Sequence, residues 1–303
     1  MSYSSNYFKV ITVLATLMFY YVSCSNSTEN SSTTTENTNV AKTNATQNVI
    51  WPGDADNNGV VSTEDILSIG LKYNKRGKER AENQRNTRFE KYTSIPWGEK
   101  LPNEADISHI DCDGNGIIDN ADMSAIAANF TNTVPTATTN DSFKPQGTIG
   151  MLLKKVSSTR YSCEEKGKIC YKNIYNMDLL KEENIYGANF ILNYQARIGV
   201  GITIKSVKIT NSCLGTEGDD FISITDYDKE NQNIYFGLTR ITPDKDTPPC
   251  KSLGAITMEI EEVVVDEDQD LTFKLNTEAE TVNIASFING DVITFSNIKV
   301  VNQ

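Results

Sequence analysis

From about residue 147 to the C-terminus, apolar and polar positions alternate with a period of two. Phe190, Leu192 and Tyr194 alternate with Asn189 and Asn193, and Ile234, Phe236 and Leu238 alternate with Asn233, Gly237 and Thr239. Ile256, Met258 and Ile260, then Leu271, Phe273 and Leu275, repeat the pattern. That spacing predicts strands that each turn one face to a core and a polar face outward. About nine such segments, parted by polar turns such as Asp228–Asn231, predict an all-β antiparallel sandwich. Upstream the period changes. Ile66, Ile69 and Tyr73 recur 57 positions later as Met123, Ile126 and Phe130, a three-to-four spacing that predicts two helices with the same apolar stripe. The fold class expected is therefore multidomain α+β: a small α-helical module of two repeats, then the sandwich.

Each helix follows an acidic loop of twelve residues, Asp54–Asp65 and Asp111–Asp122. A hard cation such as Ca2+ takes about six to eight oxygens, and a loop of this length supplies them from positions 1, 3, 5, 7, 9 and 12. In the first loop these are Asp54, Asp56, Asn58, the Val60 carbonyl, Ser62 and Asp65. In the second they are Asp111, Asp113, Asn115, the Ile117 carbonyl, Asp119 and Asp122. Gly59 and Gly116 stand at position 6, where the chain turns sharply. Two calcium ions are expected. Position 12 is Asp where the usual EF-hand has Glu, and Trp51-Pro52-Gly53 argues for an extended entry rather than an entering helix.

A pair of calcium loop-helix units without entering helices resembles a dockerin, the module that plugs proteins into cohesin domains. Trp51 to Ala55 and His109 to Gly116 carry the resemblance, which covers residues 49–132; an insertion widens the spacing between the repeats. The resemblance implies that a partner reads the first turn and outer face of a helix: Thr63, Glu64, Leu67 and Leu71 on the first, Asn120 and Ala121 on the second. Leu67 against Ser124 and Leu71 against Ala128 break the equivalence of the repeats and favour one orientation. Ile185–Tyr194, Ser212–Thr216 and Gly254–Ile260 are similar to segments of cohesin-like domains, which implies a cohesin-like jelly roll over residues 147–303. The partners implied are cohesin- or dockerin-bearing proteins, in scaffold assembly of the cellulosome kind linked to polysaccharide use. Cohesins share their sandwich with carbohydrate-binding modules, so the rival reading is an adhesion or carbohydrate-binding lipoprotein whose calcium loops are structural, with Tyr227 and Tyr235 as members of a sugar platform.

Composition places the chain outside the cell. Residues 1–23, with Lys9 and an apolar run from Val10 to Val22, read as a bacterial export signal. Tyr21-Val22-Ser23-Cys24 resembles a lipobox, so Cys24 is the expected lipid site of a cell-surface or outer-membrane lipoprotein, with plain secretion as the alternative. The lipid would be the only membrane contact. Residues 24–48, rich in Ser, Thr and Asn, read as a flexible tether, and 133–146 as a linker. The formal net charge of −12 disfavours nucleic acid as a partner. Cys163, Cys170, Cys213 and Cys250 read as two disulfides; Cys163 and Cys170 flank a polar turn, but four thiols allow three pairings. Cys112, at a non-ligand loop position, reads as a small buried side chain. The single histidine, His109, has no nucleophile or zinc constellation around it, and no enzyme is expected. Lys75–Lys100 is a basic island of eight Lys or Arg against four Glu and reads as a solvated loop.

Overall fold

The computed structural model describes residues 47–135, 144–195, 202–242, 248–263, 273–276, 283–295 and 298–301. The export segment, Cys24, the tether to residue 46, linker residues 136–143 and Leu271 lie outside them. The described residues form one compact unit.

The sandwich is built from strands β3 (Pro145–Ile149), β4 (Met151–Ser162), β5 (Lys168–Glu183), β6 (Gly187–Gln195), β7 (Ile202–Thr210), β8 (Phe221–Asp228), β9 (Asn233–Arg240), β10 (Cys250–Val263), β11 (Lys274–Asn276), β12 (Ile284–Ser286), β13 (Val292–Phe295) and β14 (Lys299–Val301). One sheet has the order β14-β4-β5-β10-β7; the other runs β3-β13-β12-β6-β9-β8, with β11 also paired to β6. Alternating residues from both sheets meet between them. Tyr175, Met177, Ile256 and Met258 face Phe190, Leu192, Phe236 and Leu238 in one buried cluster, and Phe190 stacks on Phe236 at 4.8 Å.

The expectation of an antiparallel sandwich needs one correction. The first strand switches sheets: β3 pairs parallel with β13, and β4, beyond Gly150, lies parallel to β14. The remaining pairings of the two sheets are antiparallel. A switch of this kind lets the two ends of the sandwich segment each complete a sheet edge, and periodicity within a strand carries no information about its partner's direction.

The preceding segment holds strands β1 (Asn48–Ile50) and β2 (Tyr92–Ser94), paired antiparallel, and helices α1 (Asp65–Leu71) and α2 (Asn120–Asn129). The helices are short, and their caps come from the loops. Asp119 and Asp122 form a reciprocal capping box for α2, in which the Ala121 N–H donates to Asp119 at 2.7 Å. In the first repeat the Glu64 N–H donates to Ser62 Oγ at 3.1 Å.

This segment and the sandwich share a second core. Ile66, Leu67, Ile69, Ile110, Ile118, Ala125 and Ile126 pack with Ile222, Ile224, Ile241, Ile284 and Val292 of the sheet that contains β6 and β9. Burial of that many aliphatic side chains, at about 1.5–3 kcal/mol each, holds the two segments together.

Candidate functional site

The two acidic loops share one hydrogen-bond plan. N–H groups of Asp56 and Ser62 donate to the Asp65 carboxylate at 3.1 and 2.8 Å, and those of Asp113 and Asp119 donate to Asp122 at 3.2 and 2.9 Å. Gly59 N–H reaches Asp54 at 3.2 Å, as Gly116 N–H reaches Asp111 at 3.1 Å. The N–H of Asn58 and of Asn115 donates at 2.9 Å to Asp56 and Asp113 respectively. Val60 and Ile117 then donate to the amide oxygens of Asn58 and Asn115 at 2.8 and 2.7 Å. Gly59 and Gly116 take φ of 92° and 83°, the conformation glycine adopts without penalty.

This plan gathers Asp54, Asp56 and Asp65 into one carboxylate cluster and Asp111, Asp113 and Asp122 into another, each with oxygens within 4.8 Å of one another. Burial pushes the Asp54 carboxyl up to about 6 and that of Asp111 up to about 7. Asp56, Asp65 and Asp122 move the same way, through burial first and neighbouring carboxylates second or lower. Buried charges of one sign are normally paired or metal-bound. The donor set is all oxygen, as a hard cation requires and a softer transition metal does not.

The clusters differ in their surroundings. Beside the second lies Arg80, buried, whose Nη2 donates to the Asp111 and Cys112 carbonyls at 3.2 and 2.6 Å and whose guanidinium sits 5.3 Å over the Tyr92 ring. The insertion reaches that place by pairing with the second loop: Asn74 N–H donates to the Ile118 carbonyl, Gly77 N–H to Gly116, and Arg80 N–H to Gly114, at 2.8, 3.0 and 3.0 Å. The basic island is thus only partly a solvated loop. No periodicity or motif marks Arg80 out from its neighbours. Beside the first cluster is a further carboxylate, Glu64, which is buried, has one oxygen without a hydrogen-bond partner, and is pushed by burial to about 7.

Helix α1 is buried from Asp65 to Gly70. One side meets α2, and the other lies on the outer face of the sheet formed by β6, β8 and β9. Thr63 Oγ1 donates to Asn189 Oδ1 at 2.5 Å, and the Tyr186 hydroxyl donates to the Gly70 carbonyl at 3.2 Å. The seat is flat because glycines line it. A Cβ on Gly237 would stand 2.5 Å from the Thr63 carbonyl oxygen, and one on Gly187 would stand 2.7 Å from Leu67 Cδ2. Gly70 answers from the helix side, since a Cβ there would stand 2.6 Å from the Arg240 carbonyl oxygen. Phe130, just past α2, packs edge-on against Tyr235 at 5.1 Å.

Of the residues expected to read a partner, Thr63, Glu64 and Leu67 are buried in this seat or beside it, and Leu71 is half-buried near Gly290. Asn120 and Ala121, their counterparts in the second repeat, are exposed. Of the two tyrosines named for a sugar platform, Tyr235 is engaged by Phe130 and Tyr227 is exposed. Cys163 pairs with Cys170, and Cys213 with Cys250, at Cα separations of 5.3 and 5.5 Å. Cys112 is free and buried, and its Sγ donates to the His109 carbonyl at 3.6 Å. His109 is itself buried in a turn of 3-10 helix, Ile107–His109. Among the described residues no helix is long and apolar enough to cross a membrane.

No protein-family model matches the sequence, and no curated protein matches it. Solved structures with a partial likeness are cohesin modules and their complexes. A type I cohesin–dockerin complex from Clostridium thermocellum contributes a chain at 12% identity and TM-score 0.34, covering 51% of this chain and 100% of that one. A type II cohesin–X–dockerin complex from Acetivibrio cellulolyticus contributes one at 10% identity and TM-score 0.33, covering 50% and 95%. A type II cohesin from Bacteroides cellulosolvens gives 11% identity and TM-score 0.32 over 52% and 96%.

Proposed function

We propose that residues 49–132 are a dockerin-type module ordered by two calcium ions, that residues 147–303 are a cohesin-type sandwich, and that the protein is a non-catalytic assembly component. It would be exported, held at the cell surface through a lipid on Cys24, and work alongside polysaccharide-degrading machinery. The observation that supports this most is the duplicated loop, matched hydrogen bond for hydrogen bond, with the first repeat delivering a helix onto a sheet face. Calcium, when bound, would supply the positive charge that two clusters of buried carboxylates call for. Asp54, Asp56, Asn58, Ser62 and Asp65, with the Val60 carbonyl, would hold one ion. Asp111, Asp113, Asn115, Asp119 and Asp122, with the Ile117 carbonyl, would hold the other.

The chain's own part is to pre-arrange these oxygens: loop N–H groups fix each position-12 aspartate, and that aspartate fixes the start of its helix. Binding and folding of the module would then be linked. Thermal unfolding of the full chain in calcium and in chelator tests this. A transition that moves to higher temperature with calcium concentration is expected; superimposable curves would refute the metal assignment.

A further inference from the structure

We infer that the partner of helix α1 is the sandwich of the same chain, taken within one molecule, so that the docking helix and the sheet face are closed to other modules until this pair opens. The inference rests on the reading of residues 49–132 as a docking module and names the partner of that site.

Three observations carry it. The first is burial. Thr63 is 2% exposed and Leu67 0%, whereas Asn120, Ala121, Ser124 and Ala128 on the matching face of the second repeat are exposed. The repeats offer two similar helices, and the chain covers this matching face only on the one that bears leucines.

The second is complementarity from both sides. Helix and sheet approach so closely that a single added methyl on Gly70, Gly187 or Gly237 meets the opposite element at 2.7 Å or less. Two polar groups bond across the seat, Thr63 Oγ1 to Asn189 at 2.5 Å and the Tyr186 hydroxyl to the Gly70 carbonyl at 3.2 Å, whereas Ser68 Oγ and Ser286 Oγ are buried without a partner.

The third is the sheet's outer surface. Ile222 and Ile224 on β8, Ile284 on β12 and Val292 on β13 lie on this outer side and are buried with α1 residues. Uncovered, they would make an apolar patch of the kind that marks an interaction site. The chain fills that patch itself.

The test uses the full chain with a protease site placed in residues 136–143. Both disulfides lie within the sandwich and Cys112 is free, so nothing covalent bridges the cut. Before cutting, light scattering in calcium should give the mass of one chain. After cutting, the two pieces should still elute together. Gly237→Val should weaken reassociation about tenfold or more, while Ala128→Asp on the exposed face of α2 should leave it unchanged. Circular dichroism of the uncut Gly237→Val chain, superimposable on that of the parent, reports that the variant remains folded.

Pieces that part at once in calcium, a dimer that exchanges modules between copies, or reassociation indifferent to Gly237→Val would each overturn the inference. Pieces that stay together equally in calcium and in chelator would uphold it and instead overturn the calcium reading.

Discussion

Replacing Gly70 by alanine sets two effects of opposite sign against each other. Within a helix, Gly→Ala is worth about 1 kcal/mol of added stability, because alanine gives up less backbone entropy. At this position the new methyl would stand 2.5 Å from Thr239 Cγ2 and 2.6 Å from the carbonyl oxygen of Arg240. The threonine can rotate, but the carbonyl belongs to the end of a paired strand and cannot. Overpacking of this kind costs about 1–3 kcal/mol, and drawing the helix back also strains the Tyr186 bond to the Gly70 carbonyl, worth about 1 kcal/mol. The docking terms win, and Gly70→Ala should destabilise the full chain by about 1–3 kcal/mol. Guanidinium unfolding in calcium measures this directly. Thr239→Ala should recover part of the loss, giving a coupling of about 0.5 kcal/mol or more in a double-mutant cycle, with the Arg240 carbonyl accounting for the remainder. If Gly70→Ala stabilises the protein as it would on a solvent-facing helix, or if the two changes add without coupling, the seating of α1 on the sheet is wrong.

Arg80→Met should lower the thermal stability of the calcium-loaded chain by about 1–3 kcal/mol, because two buried carbonyls lose a charged donor; an unchanged melt would show that the insertion does not brace the second loop. Removing the Cys213–Cys250 bridge, which spans 37 positions, should cost about 4 kcal/mol against about 2 for Cys163–Cys170, which spans 7, as non-reducing denaturation of the paired Cys→Ser variants would reveal. Equal costs would mean that chain entropy does not govern them. Cys24→Ser should move the protein from the membrane fraction to the soluble one, and retention in the membrane would argue against lipidation.

The sandwich core was legible because period two is a direct consequence of burying one face. Phe190, Leu192, Phe236 and Leu238 lie inward as their alternation requires. The same rule misled for the opposite face. Asn189, Gly237 and Thr239 occupy its polar phase, yet all three lie buried beneath α1. A glycine at such a position looks like a weak strand residue until the element packed against it is known. The two acidic loops and their gathered carboxylates were legible because the spacing that brings them together is local, held within twelve consecutive positions. Arg80 was not, since it reaches the second loop only through backbone pairing between Asn74–Arg80 and Gly114–Ile118, which no side-chain pattern announces. The switch of the first strand between sheets escaped for a similar reason: it is set by partners more than a hundred positions away.

The central claim, that two clusters of buried carboxylates are calcium sites which order a docking module, is tested most directly by native mass spectrometry of the full chain with and without calcium. The chain should carry two calcium ions in calcium and none after chelation, and Asp65→Ala and Asp122→Ala should each lower the count by one. A chain that carries no calcium under native conditions, or keeps two ions in both variants, would contradict the account.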